Sequence, residues 1–441
     1  MNAERFVVLG LAHVRSAWFA QVSQWATAAA VPVDFIKCMS LDEVRVRLSS
    51  GRPFSALLVD AGIAGVDRDL IDQATEIGCA TILVDDGSVR GEWAALGVAA
   101  VLPADFDREL LRSLLDQHAH PIGTVTTAAL PRDLDTRPAA TWRGQLVAVT
   151  GAGGTGTSTV AMALAQGFGR DIRNRALVVL ADLALDADQA MLHDARDVVP
   201  GVQELVDAFR HGDLAPDDVR SLTFGDGHPY RVLLGLRRHR DWAVLRPRAF
   251  QAALDGLRGT FTKVVADIDA DLEGEAQCGS IDVEDRNLMA RTVARQADVV
   301  VATGLSGPQG IHRLARVLAG LREHGVPDTR ILPVVNRAPR SPRVRAEITR
   351  ALAELVADRR DPEAMAALAS PVFLTEQRRL DASIRDGLGV PAPMVATVTA
   401  AVGALADRLV HEELRRERSS EPTLVRPGSL GSWATSQEAT G

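Results

Sequence analysis

Eight consecutive residues carry the clearest chemistry in this chain. Gly151-Ala-Gly-Gly-Thr-Gly-Thr-Ser158 follows the apolar run Gln145-Leu-Val-Ala-Val-Thr150 and precedes a stretch with Val160, Ala161, Leu164 and Phe168 on one helical face. Strand, glycine-rich turn and helix in that order suit an anion. Glycines let successive backbone N–H groups converge on phosphate oxygens, and the helix N-terminus adds partial positive charge. Against the spacing G-x-x-x-x-G-K-[ST], Gly151, Gly156 and Ser158 match, and Thr157 stands where the lysine would be. Gly153, Gly154, Thr155 and Thr159 complete the candidate cradle. A plainer reading keeps the glycines as a tight strand–helix connection.

Further apolar runs place polar residues where a loop of this kind would use them. Ala176–Ala181 leads into Asp182, and Lys263–Ala266 leads into Asp267, placed to hold Mg²⁺ together with Ser158. Asp298–Ala302 is another strand, and Ile331–Val335 leads into Asn336. This set resembles the MinD/ParA class of P-loop ATPases. The resemblance implies that Asp182 opens an Asp-x-Asp element and is a catalytic candidate, and that Asn336 reads an adenine. Without the resemblance, Asp267 is a solvated carboxylate and Asn336 braces a loop.

The departures from that class are chemical. Its two loop lysines fall on Ala152 and Thr157, and the second carboxylate of its Asp-x-Asp element falls on Ala184. The chain has two lysines, Lys37 and Lys263, against 47 arginines, so lysine has drifted widely to arginine; yet neither loop position is arginine. Lys263 starts its strand, at the end remote from the loop. Phosphoryl transfer depends on positioning and on cationic stabilisation of spreading charge. Weak binding of ATP with Mg²⁺ and very slow hydrolysis are therefore expected. The alternative is an active ATPase in which an arginine, such as Arg170 or Arg173, replaces the missing lysine.

The elements in front of this region read as a smaller unit, residues 1–118. Phe6–Leu9, Val33–Ile36, Ala56–Val59, Thr81–Val84 and Ala99–Leu102 are predicted strands, with helices over Ser16–Ala30, Leu41–Leu48 and Asp107–Asp116 among those between them. Strands alternating with helices imply a parallel sheet covered on both faces. The unit resembles a response-regulator receiver domain, with Asp60 at the phospho-acceptor position and Leu102-Pro103 closing the fifth strand. The acidic pair expected after the first strand is replaced by Gly10-Leu-Ala-His13, and the lysine by Leu102. Asp60 is expected to be inactive and the unit to be a docking or dimerisation module.

The expected fold class is thus α/β, a doubly wound unit followed by a mostly parallel-sheet P-loop domain over 143–415. A proline-containing linker at 119–142 joins them, and a disordered tail covers 416–441. That domain order resembles the CpaE/TadZ family, which acts in Tad-type pilus localisation and assembly, with similar actinobacterial proteins described as septum-site determinants. The resemblance implies a homodimer, partners in pilus or cell-division machinery, and a cytoplasmic protein recruited to the inner face of the membrane by those partners. A net charge of −8 argues against non-specific nucleic-acid binding. No transmembrane segment and no membrane-targeting amphipathic helix is expected; Val402, Leu405, Leu409 and Val410 are assigned to packing. Cys38, Cys79 and Cys278 lack metal spacing and are read as buried thiols. Asp267-Ile-Asp269-Ala-Asp271 lacks the glycine and glutamate of a calcium loop. Arg237–Arg240 and Arg337–Arg345 read as solvated basic segments.

Overall fold

Short branched apolar runs separated by amphipathic helices fold as two parallel sheets, one after the other along the chain. The computed structural model describes residues 5–13, 16–85, 87, 93–122, 142–174, 177–225, 227–357 and 368–420. The first sheet contains β1 (Phe6–Leu11), β2 (Val33–Lys37), β3 (Ala56–Asp60), β4 (Ala80–Asp85) and β5 (Ala100–Pro103), in the order β2-β1-β3-β4-β5. Helices α1 (Ala17–Thr27) and α4 (Arg108–His118) cover one face, packing Trp18, Val22, Leu111 and Leu115 on Val8 and Leu58. Helices α2 (Leu41–Leu48) and α3 (Arg68–Glu76) cover the other, with Val44, Leu48 and Leu70 on Leu9 and Leu57. Successive residues of β1 and β3 thus serve opposite cores, as the period of two requires.

Side chains set the helix starts. Ser40, Asp67 and Asp107 cap α2, α3 and α4 by accepting from backbone N–H groups of the first turn. Helix α1 is shorter than expected, ending at Thr27, and its N-cap Ser16 makes no capping bond because its hydroxyl donates to Asp60. Residues 119–122, assigned to the linker, still pack on this sheet: Ala119 is buried and Ile122 N donates to Arg5 O at 3.0 Å. Most of the predicted linker, 123–141, lies outside the described residues.

The second sheet holds β6 (Gln145–Gly151), β7 (Val178–Leu183), β8 (Arg231–Leu233), β9 (Lys263–Ile268), β10 (Val299–Leu305), β11 (Ile331–Ala338) and β12 (Val372–Thr375). Its order is β12-β11-β10-β6-β9-β7-β8, with every neighbour parallel. Strands β7, β9 and β11 run past their apolar stretches, so Asp182, Asp267 and Asn336 lie within strands rather than after them. The ladder continues through Asp182↔Asp267 to Leu183↔Ile268.

Helix α5 (Thr157–Arg170) and the C-terminal helix Ala392–Ser420 cover one face of this sheet. The connections after β7 contain α6 (Gln189–Leu192), α7 (Val202–Arg210), α8 (Pro216–Ser221) and α9 (Pro247–Thr260). Then come α10 (Glu275–Cys278), α11 (Ile281–Arg286), α12 (Leu288–Gln296), α13 (Pro308–Glu323) and α14 (Pro342–Val356); α7, α9, α12, α13 and α14 build the core of the other face. The C-terminal helix is, over Ala392–Glu412, long and apolar enough to cross a membrane by length and composition. Its Met394, Val395, Val398, Val402 and Leu405 nonetheless belong to the core against α5, while Val410, assigned to packing, is exposed. Residues 416–420 are helical rather than part of a tail, and 421–441 lie outside the described residues. Cys38 and Cys79 are buried as expected, with burial pushing their thiols up to about 11 and about 12; Cys278 is exposed.

The two sheets meet through charged groups. Helix α3 lies against α7 and α9, where Arg210 pairs with Asp67 at 2.9 Å, Arg68 with Asp213 at 2.5 Å, and Arg248 with Glu76.

Candidate functional site

The glycine-rich loop sits at the carboxyl end of β6, with β9 on one side and β10 on the other. Ligand crevices in open parallel sheets form at such ends. Gly154 and Gly156 adopt left-handed backbone angles, φ 78° and 85°, which a side chain would strain. Gly151 is required by packing, because a Cβ there would lie 2.5 Å from Thr303 O. Gly153 is neither left-handed nor packed: nothing lies within 4 Å of its missing Cβ. The fold therefore gives no reason for glycine at 153, whereas close approach of a ligand to the backbone does.

Two predicted loop residues turn inward. Thr155 is buried and donates to Ala152 O at 2.7 Å, with Thr157 Oγ1 at 3.1 Å. Asn336 is buried beneath the loop, where its Nδ2 donates to Thr155 O at 2.9 Å and its Oδ1 accepts from Arg337 N. That is the bracing arrangement, and the packing of Asn336 against Gly156 leaves no room for a Cβ there.

Gly151–Gly154 and Gly156–Thr159 line a cavity of about 680 Å³. The rest of its lining is mostly acidic, with Asp186, Asp188, Asp267, Asp269 and Asp271, and also holds His239 and Arg286. Both of those basic residues are already engaged. His239 Nδ1 lies 3.0 Å from Asp186, and Arg286 lies 2.5 Å from Asp271 and also donates to Asn287. Among the described residues lining this cavity there is no unpaired cation.

The arginines proposed as lysine substitutes are in the wrong place. Arg170 ends α5 and Arg173 lies beyond it, bound to Asp171 at 2.6 Å. A 14-residue helix separates them from the loop by about 20 Å. Lys263 pairs with Gln145 at the first step of the β6–β9 ladder, the end away from the loop, and its Nζ sits over Phe168. A larger cavity, about 910 Å³, opens beside Arg170, Arg220 and Arg231, but Arg231 is spent on Thr223 and Arg220 O, and Arg220 on Asp217.

Ser158 and Asp267, the predicted cation ligands, do come together, the Ser158 side chain lying close enough to lower the Asp267 carboxyl. A residue the sequence reading missed joins them. Gln189 donates through Nε2 to Asp267 Oδ2 at 2.8 Å, and through its backbone N–H to Asp182 Oδ2 at 2.9 Å. Asp267 Oδ2 thus accepts from an amide N–H rather than being left for a cation, and among the described residues no group of three His, Cys, Asp or Glu is placed to hold a metal, so as arranged this set does not fit Mg²⁺. Burial pushes Asp267 up to about 6 despite these donors. Burial, with Asp267 opposite, holds Asp182 well above the usual carboxylate range. Asp182 is fully buried and absent from the cavity wall, so the catalytic candidate does not reach a ligand there. Gln189 carries no motif; its only sequence signal is a glutamine a few residues beyond a strand-end aspartate.

Asp60 in the first sheet is held just as firmly. Its Oδ2 accepts from His13 N at 2.6 Å and Ser16 Oγ at 2.5 Å, and its Oδ1 from Trp18 Nε1 at 2.6 Å. Neutral donors from the segment after β1 occupy the carboxylate, and Leu102 is buried.

No protein-family model and no curated protein matches this chain. Solved structures do align with it. A ParA family ATPase from Chlorobium tepidum TLS is 15% identical over 58% of this chain and 98% of that one, with a TM-score of 0.46. A putative plasmid partition protein from Borrelia burgdorferi B31, bound to AMPPNP, is 11% identical over 62% and 100%, with a TM-score of 0.43. The septum site-determining protein MinD from Pyrococcus horikoshii OT3, complexed with Mg-ADP, is 19% identical over 60% and 95%, with a TM-score of 0.40.

Proposed function

We propose that this chain is a scaffold that keeps the loop of a nucleotide-handling fold but works through protein contacts, with weak nucleotide binding and little or no hydrolysis. The observation that carries this reading is the charge around the loop. Thr157 and Ala152 supply no cation, and the two basic residues lining the cavity, His239 and Arg286, already face aspartates. A phosphate chain entering that cavity meets the loop backbone together with five aspartates. Binding is therefore weak, and the transition state, where negative charge spreads further, gains even less.

The domain order supports assigning the scaffold to a CpaE/TadZ-like role, positioning a Tad-type pilus or a septum-linked machine. In that role the first unit is a receiver-like docking module, and the chain is a homodimer with pilus or cell-division proteins as partners. Three free cysteines suit a reducing cytoplasm, with recruitment to the inner face of the membrane by those partners. Calorimetric titration of ADP and ATP, alongside a phosphate-release assay, tests the central claim. Turnover near the 1 s⁻¹ scale of ordinary enzymes, or roughly that, would replace it with the ATPase reading. In that case Arg286, released from Asp271, is the cation the cavity offers.

A further inference from the structure

Gln189 is fully buried at the start of α6, and three contacts define its place. Its backbone N–H holds Asp182, its Nε2 holds Asp267, and the same Nε2 lies 3.3 Å from Ser158 O on the first turn of α5. One residue thereby ties together three elements, β9 and the start of the loop helix through its neutral side chain and the end of β7 through its backbone. The arrangement is kept although it leaves Asp182 Oδ1 and Gln189 Oε1 buried with no partner among the described residues. Buried acceptors without donors are uncommon in folded proteins.

The surroundings are rich in carboxylates, although among the described residues no three of them are grouped to hold a metal ion. Five aspartates line the cavity, and only two of them pair with a basic side chain there. The Gln189 carboxamide already occupies Asp267 Oδ2, so a divalent ion would have to displace it to use that oxygen. We propose that the Gln189 carboxamide stands in for a divalent cation, fixing the loop in a shape that needs no metal and keeping Mg²⁺ off Asp267. This inference concerns the cavity read above as a phosphate cradle, but its main test uses no nucleotide.

Mn²⁺ is titrated against the full chain and free Mn²⁺ is followed by electron paramagnetic resonance. Wild type is expected to take up no equivalent that depends on Asp267. Gln189→Glu replaces the donor with a third carboxylate and is expected to take up one equivalent, at least about tenfold tighter than any wild-type uptake, and to lose it when Asp267→Ala is added. Wild-type uptake that disappears in Asp267→Ala overturns the proposal, and so does a folded Gln189→Glu that gains no site. Should Gln189→Glu fail to fold, Gln189→Met removes the donor without adding charge. Mn²⁺ is then expected to raise the melting temperature of Gln189→Met and not that of wild type, and equal shifts overturn the proposal. In a second arm, Mg²⁺ is expected to leave wild-type ADP affinity where it stands in EDTA, and clear tightening by Mg²⁺ counts against the proposal. No ADP binding in either buffer would sink the cradle reading, and the Mn²⁺ result would still decide this one.

Discussion

The carboxylate of Asp69 accepts a hydrogen bond from the backbone N–H of Arg248 at 2.9 Å, across the boundary between the two sheets. Its other oxygen accepts from Ala249 N at 3.2 Å. These are the second and third residues of α9, whose first residue, Pro247, has no N–H to satisfy and whose own N-cap, Arg246, makes no capping bond. Asp69 therefore caps a helix of the other unit, using the geometry an N-cap side chain would use.

That arrangement predicts a stability contribution carried between the units. Asp69→Ala should cost about 0.5–2 kcal/mol, the usual loss for an N-cap, and Asp69→Asn less, since an amide oxygen still accepts. Urea unfolding of the full chain reads both, and no loss in Asp69→Ala would deny the cap. Ion pairs in the same interface should differ. Arg210→Ala leaves the buried Asp67 with Arg45, 3.7 Å away, as its one cationic partner beside the Leu70 N–H it caps, and should cost on the order of 3 kcal/mol. Asp213, the partner of Arg68, is largely exposed. Asp213→Ala should therefore cost no more than about 1 kcal/mol.

Asp60 should behave as a structural residue. Replacing it with Ala leaves Trp18 Nε1 buried without an acceptor, a loss of about 1–3 kcal/mol. Beryllofluoride with Mg²⁺ should leave the nuclear magnetic resonance shifts around Asp60 unchanged, because neutral donors already fill the carboxylate and no cation accompanies it among the described residues. A shift change centred on Asp60 would reinstate a phosphorylated switch.

The buried carboxylates predict a pH dependence of definite sign. Burial raises Asp267 to about 6 from its ordinary 3.8, so between those values the folded state holds a proton that the unfolded state has released. Stability from this group is complete below about pH 4. It is lost as pH rises through 6, by an amount on the order of 2–3 kcal/mol. Asp182, also raised, adds in the same direction. Asp267→Asn imitates the protonated form, so its unfolding free energy should fall less than that of wild type between pH 4 and 7. Parallel curves for the two proteins would contradict this assignment.

The α/β architecture was legible because its signals are local: apolar runs of strand length alternate with helical periodicity from Phe6 to the C-terminal helix. The edge strands Arg231–Leu233 and Val372–Thr375 were not, since three or four residues carry too little periodicity to separate from a loop. The glycine-rich loop and the absence of its lysines were also readable, being statements about residue identity at fixed spacing. What the sequence hid was who partners whom. Gln189 on Asp267, Trp18 on Asp60 and Asp69 on α9 join residues 78, 42 and 179 or more positions apart, and each depends on tertiary placement. The same limit explains the misplacement of Arg170 and Arg173, which are near the loop in sequence yet at the far end of α5.

Restoring the lysine should separate binding from turnover. Thr157 opens α5, lines the cavity, and makes one side-chain hydrogen bond among the described residues, with Thr155 Oγ1. Thr155 keeps its bond to Ala152 O without it, so Thr157→Lys should fold normally. A lysine there adds the cation that the wall lacks, and a charge-assisted hydrogen bond is worth roughly 1.5–3 kcal/mol. Affinity for ADP should therefore tighten by about one to two powers of ten. Hydrolysis should recover only in part, because Ala152 and Ala184 still supply neither the second cation nor the second carboxylate, and Asp182 remains buried away from the cavity. Titration calorimetry and phosphate release, measured on wild type, Thr157→Lys and the triple variant with Ala152→Lys and Ala184→Asp, distinguish the two effects. An unchanged ADP affinity in a folded Thr157→Lys would mean that the loop amides do not receive a phosphate at all, and that the glycine at 153 serves some other approach.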